Sequence, residues 1–463
     1  MANYFFHNSI IKELSTQSTS DLRTSLSKKL EQQDASRNPA SPTSNYTSSP
    51  ILQHAISDIL APSRISALES CDVDPIPYDS YNFFSYIWTY QGRNFGMLIA
   101  PLLLLICWGV VWQLIFIYGF DTKPFYNERT QSYESNFEHS MSSLGELIQP
   151  LMQPIGFLIT FRLGRAAVRF WDARQAIGNV VYLIRSNIAI VSVGLMSPIR
   201  LRRIAMLEQL SQNDDDTSNH SVKQNEQDRK NETAALALLA EYARWLAALP
   251  VSVQHFLRPG TRPGWRDEDT YTKKLRELDP LLPASDTRLL LMTHDDKEGR
   301  PTFDAANGVR VRDEPLVVLN RMHELAFNIA FFTYAGGGSN LFTPTPEAQA
   351  AFYKQIIEHI DAMYAAYGAT ERIKNTPLPF AYSVHLRTFL LIYLLLWNLT
   401  SVATFGWIAI PTNFFVNWLL LGIEAASVDC ERPFNWNANH IPLGKISSVV
   451  AVNVAEAMKE LRW

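Results

Sequence analysis

The sequence predicts an all-α, multi-pass membrane protein with about four membrane segments and a helical domain in water, and three observations carry that expectation. Apolar residues make up 47% of the 463-residue chain and charged residues only 19%, below the roughly 25% usual in soluble domains. Two long uncharged runs, 26 residues from Phe95 to Phe120 and 36 from Thr388 to Ile423, are placed near opposite ends of the chain. No strand–helix alternation and no internal repeat appears that would suggest a nucleotide-binding sheet or a solenoid.

In chain order, residues 1–75 contain SPTSNYTSSP and many Ser, Asn and Gln, and the start carries neither the basic region nor the apolar core of a signal peptide. The segment therefore reads as a soluble, mobile leader. Phe95–Phe120 follows, long enough as a helix to cross a hydrocarbon core of about 30 Å, with Pro101 bending its first turns. Leu147–Phe161 is uncharged but only 15 residues long, and Ser186–Pro198 is also short. These read as two short helices shielded from lipid by neighbours, and 76–205 becomes a first transmembrane pair.

Gln212–Asn231 has no apolar residue except Val222 and reads as part of a disordered loop over 206–235. ETAALALLAEYARWLAALPVSVQHFL and the mixed-polarity stretch 346–372 then give a helical cytosolic domain over 236–372. In the second long run, Gly406 and Pro411 interrupt the apolar pattern, so 373–430 reads as a second transmembrane pair. Residues 431–463 form a cytosolic C-terminal helical segment. Arg200, Arg202 and Arg203 after one apolar stretch, and Arg372 and Lys374 before another, orient these flanks, the soluble domain and both termini toward the cytosol.

Several chemistries are excluded. A net charge of −4 gives no basic field for nucleic acid, and the three cysteines, Cys71, Cys107 and Cys430, are too far apart for a zinc or disulfide framework. His323 and Glu324 are adjacent instead of lying in an HExxH pattern, while His255, His385 and His440 have no ligand partners at characteristic intervals. Gly336–Gly338 lacks the Lys-Ser/Thr ending of a phosphate loop, and Asp214–Asp216 lies in a polar tract. No enzyme, metal or cofactor is expected.

The informative segment is QPIGFLITFRLGRAAVRFWDAR at 153–174. On a helix Gln153, Phe157 and Phe161 share one stripe, and Arg162, Arg165 and Arg169 share another. Several copies around an axis would make an apolar constriction with guanidinium groups at its mouth, able to gate by dewetting and to concentrate anions. Alternatively the rings pack in an ordinary core, and the arginines snorkel to lipid phosphates or pair with Asp172 and Glu146.

The chain resembles the bestrophin family, a fungal-type member in particular. The match is carried by FRLGRAAVRFWDARQAIGNV at 161–180, similar to the family's F-R-x6-R-W-W-E-A-R pattern, by PLPFAYSVHLRTFLLIYLLLW at 377–397 and by GWIAIPTNFFVNWLLLGIEAASVDCERPF at 406–434, with TYQGRNF at 89–95 beside them. The resemblance implies a homopentamer of four-segment subunits around one central pore that passes chloride or other small anions, although some bacterial relatives favour cations. It implies a pore neck at Gln153, Phe157 and Phe161, and anion attraction or pore-helix support from Arg162, Arg165, Arg169, Asp172 and Arg174. Phe170 stands where the family has Trp, Asp172 where it has Glu, and Gln153 where relatives have an aliphatic residue. Animal members hold calcium through an acidic cluster after this last motif, but ERPFNWNANHIP at 431–442 offers Asn435, Asn437 and Asn439 instead of carboxylates, so a calcium site of that kind is not expected.

The expected partners are further copies of the chain, membrane lipids and small anions. A plasma membrane location is preferred to an internal one. Two other readings stay open: a secondary transporter of small organic anions, with a midplane site near the Gly406–Pro411 break, and a cation-selective pore of the same fold.

Overall fold

The computed structural model describes residues 49–70, 72, 95–118, 125–127, 132–134, 143–212, 218–258, 270–291, 313–332, 345–437 and 439–460. Of the mobile leader expected over 1–75, residues 1–48, 71 and 73–75 lie outside the described residues, as do TYQGRN at 89–94, Asp214–Asp216 and the glycine run Gly336–Gly338. Its part over 49–70 is instead helical and anchored, because Leu52, Ala55, Ile59 and Leu68 are buried in an apolar core.

Helices dominate. They are α1 (Pro50–Ile59), α2 (Pro62–Ser70), α3 (Phe95–Tyr118), α4 (Met152–Gln212), α5 (Ser218–Leu257), α6 (Thr270–Leu278), α7 (Ala284–Leu291), α8 (Glu314–Ala330), α9 (Pro346–Asn375), α10 (Phe380–Phe405), α11 (Ala409–Glu431) and α12 (Leu443–Glu460). A small antiparallel hairpin, β1 (Phe125–Asn127) with β2 (Ser132–Glu134), follows α3 and pairs Tyr126 with Tyr133.

Two apolar clusters organise these helices. The smaller joins Leu105 of α3, Ile155 and Ile159 of α4, and Leu386, Leu390, Tyr393 and Leu394 of α10, with Leu420 and Leu421 of α11 packed against it. Around it Leu103, Leu104, Val111, Leu391 and Leu419 face outward, as lipid contact requires. The larger cluster runs from Leu52 and Leu68 through Ala173, Ile184, Leu239, Leu246 and Val318 to Val450 and Val454, and builds the helical domain outside the membrane.

Four stretches are long and apolar enough to cross a bilayer: Leu98–Tyr118, Ser143–Pro198, Arg229–Leu257 and Phe380–Glu431. The chain is an integral multi-pass membrane protein. Arg229–Leu257 spends its apolar surface inside the larger cluster, where Leu239, Ala243, Leu246 and Val251 are fully buried. Phe380–Glu431 is in fact two helices, because Gly406 adopts φ 60° and turns the chain back through a short 3-10 turn; a side chain there would be strained. The four passages packed around the smaller cluster are therefore α3, the start of α4, α10 and α11.

Two further sequence expectations are corrected. The short helices at Leu147–Phe161 and Ser186–Pro198 are parts of one course: a short helix and 3-10 turn over 143–151 lead into α4, 61 residues without a break. Its buried positions Ile155, Ile159, Arg162, Ala166, Ala173, Ile177, Val180, Ile184, Ile188, Val191 and Leu195 hold one stripe throughout. The arginines that looked like an end to the apolar segment are good helix formers and leave that period intact. Likewise the loop expected over 206–235 is largely helical: α4 runs to Gln212 and α5 starts at Ser218. Its Lys, Gln, Glu and Arg residues favour helix, and Glu226 pairs with Lys230 one turn on at 2.9 Å.

Candidate functional site

Within α4 the residues singled out in the sequence separate by face. Gln153, Phe157, Phe161 and Arg165 recur every four residues and are all exposed, Phe157 by 69% and Phe161 by 49%. The two rings stack with centroids 6.2 Å apart, and the Arg165 guanidinium sits 5.8 Å from the Phe161 ring. Val168, Trp171 and Asp172 continue the same open face. Ile155 and Ile159, pointing the other way, are clamped in the smaller cluster. The exposed aromatics are thus on a helix whose back is packed against its neighbours.

Arg162 is on that back. It is 0% exposed; its NH1 is 2.7 Å from Glu424 Oε1, and its NH2 and Nε donate to Glu431 Oε1 at 3.0 and 3.2 Å. Arg387 of α10 donates to the same Glu424 oxygen at 2.6 Å. Two acids of α11 therefore share two arginines from α4 and α10, which compensates charges that would be costly to bury alone.

Arg169, two turns further, donates to main-chain carbonyls: Glu431 O at 2.9 Å, Thr376 O at 2.6 Å and Ile373 O. These oxygens belong to the C-terminal ends of α9 and α11, whose last carbonyls have no partner within the helix, and a guanidinium there also meets the negative end of each dipole. Arg174 is half-buried and Asp172 exposed. The triplet Arg162, Arg165, Arg169 therefore divides: Arg165 stands on the open face beside the aromatics, while Arg162 and Arg169 form a collar tying α4 to α9, α10 and α11.

The α10–α11 hairpin carries a second polar lock. Asn398 and Asn417 exchange side-chain hydrogen bonds at 3.1 and 3.3 Å, Asn398 also donates to Leu394 O, and Asn413 donates to Ser401 Oγ at 2.7 Å. All four side chains are buried, and satisfied amides between apolar helices fix their register.

The loop after α11, where the sequence offered asparagines instead of carboxylates, closes on an internal cation. Arg258 donates to Phe434 O at 2.9 Å, to Ile441 O at 2.6 Å and to Asp72 Oδ1 at 2.6 Å, with Trp436 4.9 Å from its guanidinium carbon. The other oxygen of Asp72 accepts from Lys445 N at 2.7 Å, capping the start of α12 from a distant part of the chain. Among the described residues no group of three or more His, Cys, Asp or Glu side chains is gathered for a metal ion. His440 in this loop accepts from Asn437 N, and burial lowers its pKa below the usual imidazole value.

Sequence reasoning did not find Glu424, Arg387 or Arg258. Glu424 lies between apolar residues in a membrane segment, and a carboxylate in that position is the available signal, since such groups persist only when paired.

Residues 341–456 match the family model described as Bacterial/Fungal Bestrophin protein. Over 104 residues the chain is 31% identical to the voltage-dependent anion channel-forming protein sll1024 of Synechocystis, covering 22% of this chain and 34% of that protein. Over 87 residues it is 38% identical to alr2987 of Nostoc, which bears the same description, covering 19% and 28%. The matched stretch thus spans about a third of the curated relatives or less. A bacterial Bestrophin homolog from Klebsiella pneumoniae is similar to 78% of this chain over 98% of its own length, at 17% identity and a TM-score of 0.46.

Proposed function

We propose, from the match of residues 341–456 to the bacterial and fungal bestrophin model, that this chain is a bestrophin-like passive ion channel. In this reading five copies surround one pore, the stripe Gln153, Phe157 and Phe161 forms its neck, and chloride or other small anions pass. One observation carries the reading: a row of exposed aromatic side chains on a helix whose opposite face is locked by a buried arginine–glutamate cluster. A facing aromatic ring from each of several copies gives a constriction that excludes water when narrow. Arg165 next to Phe161 supplies positive potential at its mouth, whereas Arg162 and Arg169 support the helix. The relatives described as anion channel-forming favour the anion assignment. The basic flanks around 200–203 and 372–374 orient the helical domain and both termini to the cytosol, and the plasma membrane is the preferred location.

The test is current across a planar bilayer holding purified protein under a salt gradient. The parent should reverse near the chloride equilibrium potential, Phe157→Ala with Phe161→Ala should pass more current, and Gln153→Ile should leak less than the parent. Reversal near the cation potential keeps the pore and overturns the anion assignment. Slow saturable flux without unitary events favours a transporter, and unchanged current in the double variant removes the stripe from the pathway.

A further inference from the structure

Away from the stripe, at the end of α5, His255 is 5% exposed and both its ring nitrogens face carboxylates. Nδ1 lies 2.9 Å from Glu314 Oε2 of α8, and Nε2 lies 2.7 Å from Glu277 Oε2 of α6. A neutral imidazole carries one N–H. With one proton, a bare ring lone pair would point at a carboxylate at hydrogen-bond distance inside a dry core. Two hydrogen bonds to ionised carboxylates require two ring protons, so this geometry selects the imidazolium.

The surroundings are charged on every side that packs against the ring. From α6, Lys274 donates to Glu314 Oε1 and Lys273 lies 4.0 Å from Glu277. From α2, Arg64 donates to the main-chain oxygen of Glu277 at 3.0 Å; burial lowers its pKa to about 10, with the charge of Glu277 opposing. Gln254 of α5 donates to Glu277 Oε2 at 3.4 Å and accepts from Ser447 of α12. Lys374 of α9 donates to Phe256 O and senses Lys274, Asp313 and Glu371. Arg258, just past the end of α5, is committed to Asp72. Burial alone would raise the pKa of Glu314, yet His255 and Lys274 outweigh it and hold this carboxylate below its usual range. Glu314 therefore stays ionised and keeps its demand for the ring proton.

We propose that His255, Glu277 and Glu314 form a pH-sensitive latch, in which the doubly protonated ring fastens α6 and α8 to α5 and alkaline conditions release it. The sign follows from the proton count. A ring held as imidazolium contributes its full stability below the unfolded histidine value of about 6.5 and loses that contribution as the pH climbs through the folded value. Release acts on α6 first, since its nine residues are too few to hold a helix alone. The slack then passes to α2 through Arg64, and α2 packs on α12. The latch is independent of the ion-pathway reading and would persist in a chain that conducts nothing.

The experiment compares thermal unfolding of the full chain in detergent from pH 6 to pH 9, for the parent and for His255→Gln. The midpoint advantage of the parent should be greatest at pH 6 and shrink toward zero at pH 9. An advantage of constant size across this range would mark His255 as ordinary packing and overturn the latch. Should His255→Gln not fold, amide exchange of the parent decides. Corrected for intrinsic rates, protection over Thr270–Leu278 should fall about tenfold or more between pH 6 and pH 9 while that of α9 holds; parallel behaviour of the two helices refutes the proposal.

Discussion

Replacing Arg162 with methionine keeps the length and apolar volume of the side chain but removes the charge at the centre of the collar. Glu431 Oε1 then loses both guanidinium donors, whereas Glu424 keeps Arg387 at 2.6 Å. Breaking a buried ion pair from one side costs about 3–5 kcal/mol. Because Glu424 and Glu431 retain 11% and 17% side-chain exposure, water reaches the abandoned carboxylates, and a loss of about 3 kcal/mol is expected. Denaturant unfolding of the detergent-solubilised chain, followed by tryptophan fluorescence, measures it. A double-mutant cycle with Glu431→Gln should return a coupling of about 1.5–3 kcal/mol, the range for a charge-assisted hydrogen bond. Arg165→Met, on the open face, is the control and should stay within about 0.5 kcal/mol of the parent. Additivity of Arg162→Met and Glu431→Gln to within about 0.5 kcal/mol, or an equal cost at Arg165, would refute the division of the arginines between a structural collar and an open face.

Two further substitutions probe how the helices are held. Gly444 lies so near α2 that an added Cβ would stand 2.1 Å from Leu68 O; main chain cannot step aside, so Gly444→Ala should cost about 3 kcal/mol, visible as a lower unfolding midpoint and faster proteolysis between α1 and α2. Asn417→Leu removes the partner of Asn398 in the hairpin and should destabilise by about 0.6–1.7 kcal/mol in the same denaturant assay, an effect that pairing with Asn398→Leu should largely cancel.

Legibility in the sequence followed the range of the interactions. The passage at α3 and the break at Gly406 were visible, because uncharged length and a glycine followed within five residues by Pro411 are local signals. The shared face of Gln153, Phe157 and Phe161 was also visible, since helical spacing alone decides it. The continuity of α4 was hidden because Arg162, Arg165, Arg169 and Arg174 look like the end of a membrane segment, and only the buried stripe on the opposite face shows that the helix continues. The partners of Arg162 lie as many as 269 residues away, and proximity to Asp172 and Glu146 pointed to the wrong acids. Arg258 was silent for the same reason: its acceptors are two loop carbonyls and Asp72, 186 residues before it, and carbonyl oxygens leave no mark in a sequence.

The unbroken run of α4 has a mechanical meaning. Phe157 and Ala173 are on the same stiff rod, about 24 Å apart along its axis, and between them the rod is gripped by Arg162 and Arg169. A beam held at a fulcrum swings at both ends in opposite senses: a tilt of about 5° at the collar carries each end sideways by about 1 Å. A displacement of the large helical domain therefore reaches the aromatic stripe as leverage, with no hinge to absorb it, and the collar sets the gear ratio between the two.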